Sequence, residues 1–154
     1  MKKFPQIVAI AGSIVFAAVT LNVQADDGLV RLKSASSVAE TADKLETVLK
    51  AKGMTVFTRI NHTKGAESVG LSLRPTEVVV FGNPKIGTLL MNCSPQVAID
   101  LPQKALIQED DKGQVWLSYN DPQYLAERHN IQGCDQPLKK VSGALNAFAQ
   151  KATQ

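Results

Sequence analysis

The sequence predicts a single compact α+β domain, with a mostly antiparallel sheet and helices packed on one face of it. Segments of alternating or continuous apolar residues, typical of strands, follow one another along the chain. A glycine-containing turn at 111–113 joins two of these segments as a hairpin. Apolar residues at helical spacing mark a helix near each end of the domain. Runs of antiparallel strands with helices laid on one face are typical of this fold class.

The first half of the domain contains a predicted helix between two predicted strands. Apolar and charged residues alternate at 29–34, as in a half-buried strand. Ser37 and Glu40 have the spacing of a capping box, in which both side chains bind free backbone N–H groups at a helix start. Gly53 is a suitable C-cap for this helix. The segment 54–60, rich in Thr, Val and Phe, is the second predicted strand.

The second half of the domain begins with a nearly continuous apolar run at 77–81. Such a run is typical of a strand that is buried on both faces, and the Gly-Asn-Pro sequence at 82–84 ends it. The other predicted elements after residue 60 are a polar turn at 61–65, a short helix or irregular bridge at 66–73, helical stretches at 85–91 and 96–100, hairpin strands at 104–110 and 114–119, a short helix at 122–129, and a last helix with the apolar stripe Leu138, Val141, Leu145 and Phe148.

The first 25 residues have the layout of a secretory signal peptide. Lys2 and Lys3 precede an apolar run at 7–21, and a small-x-small cleavage site follows at 23–25. The sequence therefore predicts a signal peptide at 1–25 and one domain at 26–154, located in the periplasm or secreted. An uncleaved N-terminal anchor is the alternative. No second long apolar run follows, so no stable membrane insertion is expected after cleavage.

The charge of the chain bears on two classes of partner, nucleic acid and anionic membrane surfaces. The formal net charge is +3, and Lys2 and Lys3 account for two of these charges. The remaining chain is nearly neutral, with its charges scattered along the sequence. This pattern gives no electrostatic basis for binding nucleic acid or an anionic membrane surface.

The two cysteines, Cys93 and Cys134, are predicted to form a disulfide. An even number of cysteines in an exported chain favours pairing. A reactive thiol or a soft-metal site remains open as an alternative. No Cys-x-x-Cys or His-x-x-x-His motif occurs, so we predict neither a metal nor a cofactor.

Several short motifs, taken in order, resemble those of the DUF302 family of small bacterial domains. They run from about residue 29 to the end of the chain: Ile60-Asn61-His62, Leu73-Arg74-Pro75-Thr76, Phe81-Gly82-Asn83-Pro84-Lys85, Gly87-Thr88, Asp100-Leu101-Pro102, Trp116-Leu117-Ser118-Tyr119-Asn120-Asp121-Pro122 and Tyr124-Leu125-Ala126. The resemblance implies a compact α+β fold and a homodimer. It implies no activity, because the family has none assigned, and it gives neither cysteine a characteristic role.

Four residues at predicted turns are candidate ligand-binding residues: His62, Asn83, Lys85 and Asp100. A histidine after a strand can exchange protons near neutral pH, and a lysine at a helix start favours anions. Asp100 enters an apolar segment and needs partners, for which we expect neighbouring backbone groups. His129 is expected to complement the C-terminal end of a helix. We expect His62, Asn83 and Asp100 to line one cavity.

The sequence leaves several functions open. The first is an exported module that binds a small molecule or an envelope protein, since no set of nucleophile, base and orienting group is fixed by spacing. The alternative is a small hydrolase or thiol-dependent enzyme that uses His62 with Asp100 or Cys93. A structural or stress-related envelope protein is the third possibility.

Overall fold

The structure is a computed structural model that describes residues 24–26 and 28–154. The predicted signal peptide lies outside the described residues except for Gln24 and Ala25. These two residues belong to a short first strand, so the predicted cleavage after Ala25 falls within that strand.

Within the described residues, six strands form one antiparallel sheet. They are β1 (Gln24–Asp26), β2 (Leu29–Ser34), β3 (Thr55–Asn61), β4 (Thr76–Gly82), β5 (Gln103–Glu109) and β6 (Val115–Asn120). Their order across the sheet is β1-β2-β6-β5-β4-β3, and every neighbouring pair is antiparallel. Strand β3 therefore forms one edge of the sheet.

Five helices and one short 3-10 turn complete the described part of the chain. They are α1 (Val38–Ala51), α2 (His62–Ser68), α3 (Pro84–Cys93), the 3-10 turn (Pro95–Ile99), α4 (Pro122–Arg128) and α5 (Asp135–Thr153). None of these helices is both long enough and apolar enough to cross a membrane.

The core lies between one face of the sheet and the two long helices. Alternate residues of the central strands point into it, among them Val79, Ile107 and Leu117, which are almost completely buried. Helices α1 and α5 cover this face and contact each other. Leu45 and Leu145 are buried from the helix side. The predicted α+β domain with helices on one face is confirmed.

The other face of the sheet carries no helix among the described residues, which changes the interpretation of β4. Val79 and Phe81 are buried on the core face, whereas Val78 and Val80 on the opposite face are only half-buried. The predicted burial of this strand on both faces is therefore wrong. The continuous apolar run reflects one buried face and one partly covered face.

The local sequence signals place most of the elements correctly. Ser37 caps α1, and the reciprocal bond from the Ser37 backbone N–H to the Glu40 carboxylate completes the predicted capping box. Gly113 has a φ of 75° in the predicted hairpin turn. Helix α2 begins inside the predicted polar turn, because the side chain of Asn61 accepts a hydrogen bond from the backbone N–H of Lys64 and caps it.

Candidate functional site

A cleft of about 710 Å³ opens between α3 and α5 at the end of the sheet where β4 finishes and β5 begins. Its size lies within the usual range for small-molecule pockets, about 300–1,000 Å³. The chain segments that enclose it are far apart in sequence, since the residues after α1, strand β3 and helices α3 and α5 all contribute. We refer to it as the α3–α5 cleft.

One wall of the cleft is formed by the first two turns of α3. Strand β4 stops at Gly82, and Pro84 takes the first helical position, where its missing N–H costs nothing. The side chain of Asn83 accepts a hydrogen bond from the backbone N–H of Lys85 at 3.0 Å and so caps the helix. The apolar side chains of Ile86 and Leu90 then face the cleft.

The opposite wall is the apolar stripe of α5. Val141, Leu145 and Phe148 were predicted as core residues of the last helix, and they are buried. They also line the cleft together with Ala144. These residues belong to both the core and the cleft wall because the end of α3 packs against α5, while the start of α3 leaves space beside α5.

The floor of the cleft lies where β4 and β5 meet, and it contains one polar side chain. Gly82 lies beside Phe57 and Pro102 there, since a Cβ at this position would make ordinary contacts at 3.4 Å with Phe57 Cε2 and at 3.5 Å with Pro102 Cβ. Gln103 lines the cleft and is only 7% exposed. Its side-chain amide makes no hydrogen bond to any other described residue. The polar atoms of this amide are not fully enclosed, so they are accessible to water or a ligand.

Three lysines line the cleft, and we call them the lysine rim: Lys52, Lys85 and Lys140. Lys52 directly follows α1, Lys85 is in the first turn of α3, and Lys140 is in the second turn of α5. All three are exposed. No aspartate or glutamate of the described residues lines the cleft.

The structure brings together two of the four predicted site residues and separates the other two. Asn83 and Lys85 line the α3–α5 cleft, whereas His62 and Asp100 do not. The expectation that His62, Asn83 and Asp100 share one cavity is therefore wrong. Asn61, just before His62, pairs with Glu77 at the start of β4, and Asn83 follows the end of that strand. A rise of about 3.3 Å per residue places these two ends about 20 Å apart.

His62 is exposed at the start of α2 and makes no side-chain hydrogen bond to another described residue. An enzyme that uses His62 with Asp100 or Cys93 requires contact between these side chains. The separation along β4 removes the basis of that alternative.

Asp100 has side-chain partners that sequence reasoning did not identify. Its carboxylate contacts His129 Nε2 at 2.5 Å and Arg128 Nη1 at 3.5 Å. Both partners lie at the C-terminal end of α4, and Ser94 Oγ donates to the carbonyl of His129 at 3.0 Å. The expected role of Asp100 as a backbone cap is wrong. Instead, this cluster fastens the 3-10 turn to the end of α4.

Cys93 and Cys134 lie at disulfide distance, with their Cα atoms 6.4 Å apart. This separation falls within the usual range for paired cysteines. Cys93 is the last residue of α3, and Cys134 is the N-cap of α5. The predicted pair therefore joins the two helices that form the walls of the cleft.

Sequence reasoning missed Lys52, Lys140 and Gln103 as residues of the site. Their only local signals are helix-end lysines and a glutamine at the start of a strand, which occur in most domains. Among the described residues, no group of three or more His, Cys, Asp or Glu side chains is arranged to hold a metal ion.

Comparison with known proteins shows two kinds of similarity. The chain is 49% identical over 106 residues to the fluoride-specific ion channel FluC 1 of Brucella suis biovar 1 (strain 1330), a match that covers 69% of this chain and 42% of that protein. The same identity and length are found for FluC 1 of Brucella abortus biovar 1 (strain 9-941), of which 39% is covered. The chain thus matches about two fifths of the length of these curated relatives.

The fold has a solved counterpart in the crystal structure of an uncharacterised conserved DUF302 protein from Bacillus stearothermophilus. The two structures superpose with a TM-score of 0.74 at 20% identity, over 82% of this chain and 99% of that one. The model of the family described as "Domain of unknown function DUF302" matches residues 30–148, which include every strand from β3 to β6 and both walls of the cleft. The chain therefore belongs to the DUF302 family.

Proposed function

We propose that this protein is a binding module that takes up a small, largely apolar molecule in the α3–α5 cleft. The observation that supports this most is the cleft itself, about 710 Å³ in volume and lined mainly by aliphatic and aromatic side chains. Pockets for small ligands are typically concave and apolar, with a few placed polar groups. Burial of apolar ligand surface stabilises a complex by about 25 cal/mol per Å² before the costs of association.

Gln103 supports the same proposal. Its side-chain amide makes no hydrogen bond to another described residue, and its polar atoms are not among those that are fully enclosed without a partner, so they can reach a bound molecule. At the floor of the cleft it serves as a polar group that orients a ligand with a hydroxyl, carbonyl or carboxyl group.

Blocking the cleft tests the proposal. Ala144 lines the cleft and Ala147 is exposed on the same helix outside it, so Ala144→Phe and Ala147→Phe form a matched pair. We expect Nile red to bind the wild type and Ala147→Phe, to be displaced by 1-decanol, and to bind Ala144→Phe at least about tenfold more weakly because the phenyl ring occupies the cleft. Equal binding to all three proteins would place the dye elsewhere and refute the proposal.

We also propose that the protein is exported and works in the periplasm or outside the cell. Lys2, Lys3 and the apolar run at 7–21 support this, as do two cysteines at disulfide distance, since disulfides persist in oxidising compartments. Mass spectrometry of the protein from a periplasmic extract or the culture medium should find Asp26 as its first residue. An intact N-terminus in the cytoplasmic fraction would contradict export.

A second candidate function is docking to a membrane transport protein. In the Brucella relatives, a stretch similar to this chain is part of a longer protein named a fluoride-specific ion channel. A domain joined to a transporter in one organism can serve beside such a protein as a separate chain in another. Deleting the gene should then lower growth in sodium fluoride and restoring it should rescue growth, whereas unchanged tolerance would exclude this function.

A further inference from the structure

We propose that the ligand of the α3–α5 cleft is an amphipathic anion. Its apolar part lies between α3 and α5, and its carboxylate or phosphate head is bound by the lysine rim. This inference rests on the proposed function and names the chemical class of the ligand.

The first support is the charge of the cleft. Lys85 and Lys140 approach it from α3 and α5, Lys52 approaches it from the residue after α1, and no acidic residue of the described chain lines it. The ion pairs of the described residues do not include any of these lysines. A cleft with one sign of charge and low-dielectric walls concentrates ions of the opposite sign.

The second support is the arrangement of polar and apolar groups. The lysines are exposed, whereas the α5 wall and Gln103 are buried. The polarity therefore changes from cationic at the surface to apolar inside, with one amide at the floor. An apolar chain with an anionic end matches this gradient, while a neutral hydrocarbon leaves the lysine rim without a role.

The N-terminus of α3 is not the anion-binding group. Asn83 Oδ1 already accepts from the Lys85 backbone N–H, and the carbonyl of Asn83 accepts from the backbone N–H groups of Ile86 and Gly87. The positive charge for a head group must then come from the lysine side chains. Lysine presents a mobile point charge, which suits a flexible ligand head better than a fixed bidentate site does.

Four probes with the same ten-carbon chain test the inference: decanoate, decyl phosphate, 1-decanol and decyltrimethylammonium. Affinities are measured below the micelle concentration, by calorimetry or Nile red displacement. At low salt we expect the better of the two anions to bind wild type at least about fivefold more tightly than decanol, since a close charge contact with a lysine favours the anionic head over a hydroxyl group. Decyltrimethylammonium should bind least tightly. The anion with the larger gain identifies the head group.

Two triple variants separate the lysine rim from overall charge. Lys52→Gln, Lys85→Gln and Lys140→Gln combined should abolish the preference for anions and change decanol affinity by less than about twofold, because the apolar walls remain. The control combines Lys64→Gln, Lys139→Gln and Lys151→Gln, three exposed lysines outside the cleft with the same loss of net charge. It should keep the preference.

Salt gives an independent readout. Raising NaCl from about 20 to 500 mM should weaken anion binding several-fold through screening and leave decanol binding undiminished. If decanol binds but the anions bind no more tightly, or if the preference survives in the rim variant, the inference is wrong and the binding function stands. If none of the four probes binds, the proposed function itself is wrong.

Discussion

Glu77 is a buried charged residue whose carboxylate is held by hydrogen bonds. It accepts hydrogen bonds from Arg59 Nε and from Asn61 Nδ2, the latter at 2.9 Å. Arg59 also pairs with Asp43 and donates to the Ala39 carbonyl at 3.2 Å. Desolvation favours a lower pKa for Arg59, but its hydrogen bonds to Glu77 and Asp43 outweigh this effect and raise the pKa above its usual value. The network ties the edge strand β3 to β4 and α1.

Removal of Glu77 should destabilise the fold much more than removal of Asp43. The Glu77 side chain is 8% exposed and that of Asp43 is 69% exposed, although both bind the same guanidinium. We expect Glu77→Ala to lower the free energy of unfolding by about 2–3 kcal/mol, less than for a fully buried pair because Arg59 is partly exposed. Asp43→Ala should cost less than about 1 kcal/mol. Urea unfolding of both variants measures the difference, and equal losses would contradict the assigned role of burial.

A second prediction at the residue scale concerns alkaline pH. Burial raises the pKa of the Tyr119 hydroxyl to about 12, and the negative charge of Asp121 adds to this shift. An unfolded tyrosine loses its proton near pH 10. Stability from this residue is therefore fully present below pH 10 and is lost as the pH rises from about 10 to about 12, because only the unfolded state releases the proton in that window.

Replacing the hydroxyl should remove this pH dependence. Between pH 9 and 11.5 the free energy of unfolding should fall in both proteins. We expect this fall to be about 1–2 kcal/mol smaller for Tyr119→Phe than for the wild type. Tyr124→Phe is the control, since Tyr124 is 39% exposed on α4. The slopes of unfolding free energy against pH give the result, and identical slopes for all three proteins would refute it.

At the scale of elements, the cysteine pair determines how firmly α3 is held against α5. Cys93 and Cys134 are separated by 41 positions, so a bond between them closes a large loop in the unfolded chain. The chain-entropy relation gives a stabilisation of about 4 kcal/mol for a loop of this size. We expect the double variant Cys93→Ser with Cys134→Ser, and the wild type reduced with dithiothreitol, to lose comparable stability in urea.

The outcome of this experiment also tests the pairing. If the cysteines pair, native wild-type protein has no titratable thiol, and each single Cys→Ser variant is as unstable as the double variant. Two free thiols under native conditions, or a double variant within about 1 kcal/mol of wild type, would show that the pair does not contribute a disulfide.

Most of the elements could be predicted from the sequence, while the site could be predicted only in part. Ser37, Pro84 and Gly113 act on their immediate neighbours, so the helix starts and the hairpin are encoded locally. The separation of His62 from Asn83 depends on which strand β3 pairs with and in which direction. No local pattern specifies that pairing, and the residues of a cleft between α3 and α5 are set by contacts across more than 50 positions.

At the scale of the whole molecule, the exposed apolar side chains concentrate in one region. Of the large apolar residues that are exposed in the described chain, five lie between positions 57 and 73: Phe57, Ile60, Val69, Leu71 and Leu73. Phe57 and Ile60 lie on β3, an edge strand whose outer backbone groups have no partner strand in the described sheet. The other three follow α2, the helix that comes directly after β3. Natural edge strands are usually protected by lysine, proline or a covering element. Here Arg59, the charged residue of β3, is held by Glu77 and Asp43.

We therefore propose that the homodimer implied by the family resemblance forms through this edge, with the two β3 strands antiparallel across a two-fold axis. Such pairing would continue the antiparallel sheet and cover the apolar side chains of both copies.

Light scattering of the wild type should give twice the mass of one chain. Ile60→Lys should shift the protein towards the monomer, because it places a charge where Ile60 is 42% exposed beside the edge. The same substitution at Ile99, which is 75% exposed on the 3-10 turn and not part of β3, should leave the dimer intact. A wild type that remains monomeric at about 100 μM, or an Ile99→Lys variant that dissociates equally, would contradict dimerisation through β3, since a specific interface of standard size gives a far lower dissociation constant.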